Sequence, residues 1–216
     1  MRRLRLVDRD TVELSNLHRQ VLYTEADVGR PKVEVLAASL VARWPDLSVE
    51  IFDTRVEESS TATILRGCDA VLECTDDTQA KFLTSDFAAS HGIYATIAAA
   101  IGRRGQWLTM VPGGPCYRCL FEAPPPAESL ATCSVAGVLG SVTGQVGALA
   151  GLSLVRALRG QADPAIGALV RLSPRGLQTT PVTLAADCPC HAHAPRLPTR
   201  ALTATRQLAT ALPDRE

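Results

Sequence analysis

Charge of one sign is what this sequence most clearly lacks: Lys and Arg total 22, Asp and Glu total 22, and the formal net charge is zero. That balance removes the electrostatic case for nucleic acid or an anionic membrane as main partner. The N-terminal run from Met1 to Asp8 is basic but has no apolar stretch long enough for a signal peptide, so a cytoplasmic protein is expected. Internal repeats and low-complexity tracts are absent. The seven cysteines are odd in number and lack a secretion signal beside them, which argues against a disulfide framework. Charge is also missing from Val135 to Val155, about the ~20 residues that a bilayer span needs. Five glycines, added polar atoms and the lack of an aromatic belt favour a buried core helix there.

What is present reads as an ordinary globular α/β chain, 46% hydrophobic and 20% charged over 216 residues. Leu4 to Val7 is an apolar run suited to a buried strand, followed by polar, irregular sequence from Thr11 to Thr24. Gly29-Arg30-Pro31 opens a helix in which Val33, Leu36, Ala37, Leu40, Val41 and Trp44 share one face, and Pro45 closes it. Strands are expected over 47–52, 70–74, 93–98 and 106–111, with helices over 59–66 and 78–90. This alternation predicts a mostly parallel, doubly wound sheet with helices on both faces. Gly137, Gly140, Gly144, Gly147 and Gly151 would form a smooth stripe that another backbone can approach. Residues 168–172 and 178–184 read as a terminal hairpin, and 195–216 as a Pro-rich, polar tail beyond a domain spanning 1–194. Cys68 and Cys74 flank an apolar run and read as small core residues.

Three constellations could carry chemistry. Cys116-Tyr117-Arg118-Cys119 and Cys188-Pro189-Cys190-His191 have the paired spacing that tetrahedral zinc takes from two loops. A redox dithiol is the other use of CxxC, but the second cluster favours metal. The fourth ligand is Cys190, His191 or His193, with Cys190 preferred. Asp8, Asn16, Arg19, Gln20 and Lys32 follow the first strand, where open α/β sheets bind ligands, although a solvated loop would have similar composition. Glu73-Cys74-Thr75-Asp76-Asp77 ends another strand. One of its carboxylates could hold magnesium and another could cap the next helix.

Together these segments resemble the ThiF/MoeB/HesA family, bacterial relatives of ubiquitin-activating enzymes. VDRDTVELSNLHRQVLYTEADVGRPKVE is similar to that family's central signature, ECTDD to its CTDN segment and CYRC to its first zinc pair. CSVAGVLGSVTGQVGALAG is similar to its cysteine-plus-glycine helix, so the resemblance spans about residues 3 to 192. It implies a Rossmann-like fold with a C-terminal hairpin and a zinc-bound loop. The implied activity is ATP-dependent adenylation of the C-terminal glycine of a ubiquitin-like sulfur-carrier protein ending in Gly-Gly. Asp8 would bind the ribose, Asn16, Arg19, Gln20 and Lys32 the phosphates, and Asp76 the Mg2+. Cys133 stands where some members bond covalently to the carrier. Cys116, Cys119, Cys188 and Cys190 would hold a structural Zn2+. A separate sulfur donor and a homodimer are also implied.

The sequence departs from that pattern at its front. The family's glycine-rich turn and the strand before it have no counterpart ahead of Leu4. An unpaired centre of the sheet is therefore expected, and weak or absent ATP turnover if these residues are the whole product. A catalytically inactive carrier-binding protein is the competing reading, together with adenylation of a peptide or a tRNA base. A nicotinamide-dependent oxidoreductase ranks last, because the glycine fingerprint is missing.

Overall fold

The computed structural model describes residues 2–125 and 137–191. Strand β1 (Arg3–Val7) leads through an irregular segment to helix α1 (Lys32–Arg43), which returns the chain to β2 (Ser48–Phe52). Helix α2 (Glu58–Leu65), β3 (Ala70–Glu73), α3 (Thr78–His91), β4 (Tyr94–Ile101) and β5 (Arg104–Met110) follow. Helix α4 (Gly140–Leu158) and the hairpin β6 (Ala168–Ser173) and β7 (Gly176–Pro181) complete the described elements.

The sheet is not mostly parallel. β1 and β2 form a parallel pair, while β3 to β7 form a separate mixed sheet in chain order. Only β3–β4 is parallel within it; β4–β5, β5–β6 and β6–β7 are antiparallel. The reason lies in the connections. A parallel neighbour needs a crossover of a dozen or more residues, whereas β4 passes to β5 through the tight turn Gly102-Arg103. Gly102 has φ +57°, a conformation open to glycine at little cost.

Helices do cover both faces of the larger sheet. Alternate side chains of β4 and β5 point opposite ways: Ala95, Ile97, Leu108 and Met110 pack with Phe82 and Ala88 of α3. Ala98 and Trp107 pack with Val142, Val146 and Ala150 of α4. Helix α4 is long and apolar enough to cross a membrane by length and composition, yet this face carries part of the core. The expected core helix is buried on that face only, since Leu152, Val155 and Leu158 on its other side are exposed. The glycine stripe also differs from expectation. Among the described residues nothing lies within 4 Å of a Cβ built at Gly144, Gly147 or Gly151, and of the stripe only Gly140 meets another backbone. Cys68 is partly buried and Cys74 exposed, so neither is a core residue.

Among the described residues no strand joins β1 to β3. Both strands instead line one cavity of about 2580 Å³. Arg5 of β1 ties the two parts together: its Nη1 donates to the carbonyls of Ile64 and Arg66, each at 2.8 Å.

Candidate functional site

The segment after β1 is irregular because its backbone groups bond among themselves and to the start of α1. Val12 N–H donates to the Arg30 carbonyl and Gly29 N–H to that of Val12, both at 2.8 Å. Lys32 N–H donates to the Asp10 carbonyl at 2.9 Å, which seats the first residue of α1 beside the end of β1. Lys32 Nζ then reaches the Asp10 carboxylate at 3.1 Å. The side chain of Lys32 is buried while that of Asp10 is exposed, so the cation approaches the cavity from the protein side.

Asp8 accepts a hydrogen bond from Asp10 N–H at 2.9 Å. Burial raises its pKa, opposed by that hydrogen bond and by the nearby Lys32 charge. Burial also pushes the Tyr23 hydroxyl up to about 12, with the Asp8 charge adding to the effect. Asn16 is buried and closes a 3-10 turn, its Oδ1 accepting from Glu13 N–H at 3.4 Å. Arg19 Nη1 donates to the Ser15 carbonyl at 2.9 Å and contacts His18 Nε2 at the same distance. Gln20 Oε1 is buried without a hydrogen-bond partner among the described residues.

The turn after β3 divides its two aspartates. Asp77 is the N-cap of α3, accepting from Gln79 N–H at 2.8 Å and from Ala80 N–H at 3.2 Å. Asp76 is exposed and makes no hydrogen bond or ion pair to the described residues, a state that suits a cation ligand. Asp8, Asn16, Arg19, Gln20, Lys32 and Asp76 all line the same cavity. At about 2580 Å³ that cavity exceeds the ~300–1,000 Å³ of an ordinary ligand pocket, because it continues between the β1 and β3 edges.

Sequence reasoning missed Lys81. A lone lysine in the first turns of a helix reads as solvated, yet this one is buried and also lines the cavity. Its partner Glu73 stood inside the ECTDD motif, but nothing in the spacing marked the two as a pair. Cys133 and His193 lie outside the described residues.

The cysteine pairs meet on the α3 side of the sheet. Cys116, Cys188 and Cys190 are buried with their sulfurs all within 4.8 Å of one another. Cys116 Sγ lies 3.9 Å from Cys119 Sγ and 3.5 Å from Cys188 Sγ. Zinc–sulfur bonds of about 2.3 Å in a tetrahedron place sulfurs about 3.8 Å apart, so the cluster of Cys116, Cys188 and Cys190 is compatible with zinc, while Cys119 lies beside Cys116 but outside the mutually close group. The neighbouring Cys190 side chain, above all, lowers the Cys116 thiol to about 5. Burial raises Cys188 to about 12. Asp86 accepts from Cys190 Sγ at 3.1 Å and pairs with Arg118 at 2.8 Å, fixing the second loop against α3.

Comparison with known proteins agrees with this architecture. Residues 1–192 match the model of the ThiF family. The chain is 36% identical over 186 residues to the SAMP-activating enzyme E1 of Haloferax volcanii, covering 85% of this chain and 69% of that protein. It is 38% identical over 155 residues to the adenylyltransferase and sulfurtransferase MOCS3 of Arabidopsis thaliana, covering 71% of this chain. It spans only 33% of that longer protein. Among solved structures, E. coli MccB with ATP superposes with a TM-score of 0.74 at 18% identity, covering 87% of this chain and 58% of MccB. That likeness establishes the fold.

Proposed function

The chain belongs to the ThiF family, and on that footing we propose that it adenylates the C-terminal glycine of a ubiquitin-like sulfur-carrier protein at the expense of ATP. The observation that carries the reading is the joining of the β1 loop to α1, where Lys32 is bonded to Asp10 and lies near enough to act on Asp8, at a cavity that Asp76 also lines. Residues from the β1 loop, the start of α1 and the β3–α3 turn are far apart in sequence, and all face it. Relatives named as an activating enzyme and an adenylyltransferase favour chemistry over an inactive carrier-binding role.

In this reading Asp8 accepts from the ribose hydroxyls. Asn16, Arg19, Gln20 and Lys32 bind the phosphates. Arg19 uses only Nη1 within the described structure, which leaves the rest of its planar fork to grip phosphate oxygens. Lys32, held at one side by Asp10, adds a charge at a fixed point, and such preorganised charge lowers the barrier to phosphoryl chemistry. Magnesium held by Asp76 would neutralise charge on the triphosphate. The carrier's terminal carboxylate attacks the α-phosphorus and pyrophosphate leaves. A carboxylate of this kind is ionised at neutral pH, with an ordinary pKa of about 3.3–3.7, so no residue needs to act as general base.

The acyl-adenylate is then open to a sulfur nucleophile from a separate donor. Zinc at Cys116, Cys119, Cys188 and Cys190 would be structural, tying the loop after β5 to the segment after β7. The sulfurs of Cys116, Cys188 and Cys190 already lie close together, so metal binding adds folding energy rather than reactivity. The reading is tested by incubating the chain with MgATP and a carrier ending in Gly-Gly, then trapping with hydroxylamine. A carrier hydroxamate is expected, against the weak or absent turnover that the missing glycine-rich turn suggests, and none from a carrier lacking its terminal glycine. Equal trapping from both carriers would refute it.

A further inference from the structure

Lys81 sits in the first turns of α3 and is only 5% exposed. Its ammonium lies 2.5 Å from Glu73 Oε2, 2.6 Å from the Thr75 carbonyl and 2.7 Å from the Ala98 carbonyl. An ammonium has three N–H donors, and all three are used. Glu73, also 5% exposed, turns its other oxygen to Thr75, accepting from the backbone N–H at 2.8 Å and from the hydroxyl at 2.5 Å. One buried pair thus gathers the end of β3, the turn beyond it and a backbone carbonyl of β4.

Stability alone is a poor reason for such a pair. Taking two charges out of water costs roughly what their attraction returns, and apolar side chains of similar shape often serve as well. What the pair does uniquely here is hold Thr75 at both its carbonyl and its N–H. On the far side, Asp77 is fixed by its cap to α3 and by donating its N–H to Thr75 Oγ1 at 3.2 Å. Asp76 lies between these two anchored residues. Its backbone is constrained from both sides while its carboxylate is left free at the cavity.

We infer that Lys81, acting through Glu73, is a positioning residue that aims the Asp76 carboxylate at the divalent cation of the bound nucleotide. The inference rests on the reading that Asp76 holds that cation. It separates two properties of the pair. The ion pair sets metal affinity, while the space it fills and the lysine's bonds to the Thr75 and Ala98 carbonyls set stability.

The test measures binding of Mn2+ in the presence of ATP, by electron paramagnetic resonance, alongside thermal melting. Three forms are compared: the unsubstituted chain, Asp76→Asn, and the double variant Glu73→Gln/Lys81→Met, which keeps the shapes and removes both charges. The unsubstituted chain should bind Mn2+ with ATP, and Asp76→Asn should lose that binding. The double variant leaves the Thr75 and Ala98 carbonyls without the ammonium, so it should fold but melt lower, and bind Mn2+ roughly 10–100-fold more weakly, the usual loss when support for a metal ligand is removed. Unchanged Mn2+ affinity in the double variant, with Asp76→Asn defective, would overturn the inference alone. A double variant that fails to fold would make the pair structural and overturn it too. Normal Mn2+ binding by Asp76→Asn, or none by the unsubstituted chain, would remove the underlying reading of the site.

Discussion

Gly140, the first residue of α4, lies so close to His18 that an added Cβ would stand 2.2 Å from the His18 carbonyl oxygen and 3.6 Å from Arg19 Cα. Two backbones meet there, and neither can yield as a flexible side-chain tip would. The contact links the start of the helix to the segment that carries Arg19.

Gly140→Ala should therefore destabilise the protein by about 1–3 kcal/mol, the usual cost of overpacking. At this size that lowers the melting temperature by roughly 2–4 °C per kcal/mol. Nucleotide binding should weaken as well, because the segment that must move carries Arg19. The control is Gly147→Ala on the same helix, where a Cβ meets nothing within 4 Å. There the better helix propensity of alanine should stabilise by about 0.8–1 kcal/mol. Calorimetry on both variants checks the contrast, and equal effects would remove Gly140 from its role.

Asp8 gives a prediction in pH. Burial raises its pKa above the ordinary carboxylate value, so the folded chain holds this proton more tightly than the unfolded chain does. Ionisation of Asp8 then costs stability as pH rises through the folded pKa. Asp8→Asn should raise the melting temperature at neutral pH, and the gain should vanish below the unfolded carboxylate pKa of about 3.9. The same variant should bind ATP less tightly. A variant less stable than the parent at neutral pH would contradict the assignment of burial as the dominant cause.

The cysteine cluster predicts about one zinc per chain, the complement of a single four-ligand site. Cys116→Ser should release it, since Cys116 lies at the centre of the sulfur contacts. Metal analysis and a chelator-sensitive melting temperature test this together. A metal-free protein whose melting is indifferent to chelator would argue for a dithiol instead.

Much of the local structure was legible in the residues. The apolar spacing from Val33 onward marked α1, and the helix runs Lys32–Arg43. The CxxC and CxC pairs announced a cluster because metal ligands from two loops need short spacing within each loop. Strand direction was not legible. Alternation of side chains says which face is buried, and it is the same in parallel and antiparallel strands, so only the tight Gly102-Arg103 turn could have warned that β5 runs back along β4. Lys81 was invisible for a related reason. A charge in a helix signals solvent unless its partner is known, and Glu73 lies eight positions away on a different element. The glycines of α4 were read as one feature, whereas their surroundings differ. Contact with His18 depends on tertiary placement that no spacing encodes.

Exchange of labelled pyrophosphate into ATP tests the central claim most directly, since it reports reversible formation of an acyl-adenylate and nothing later. The account predicts incorporation that requires a carrier ending in Gly-Gly and that falls to background in Arg19→Ala and Lys32→Ala. Exchange that ignores the carrier, or that survives both substitutions, would contradict it.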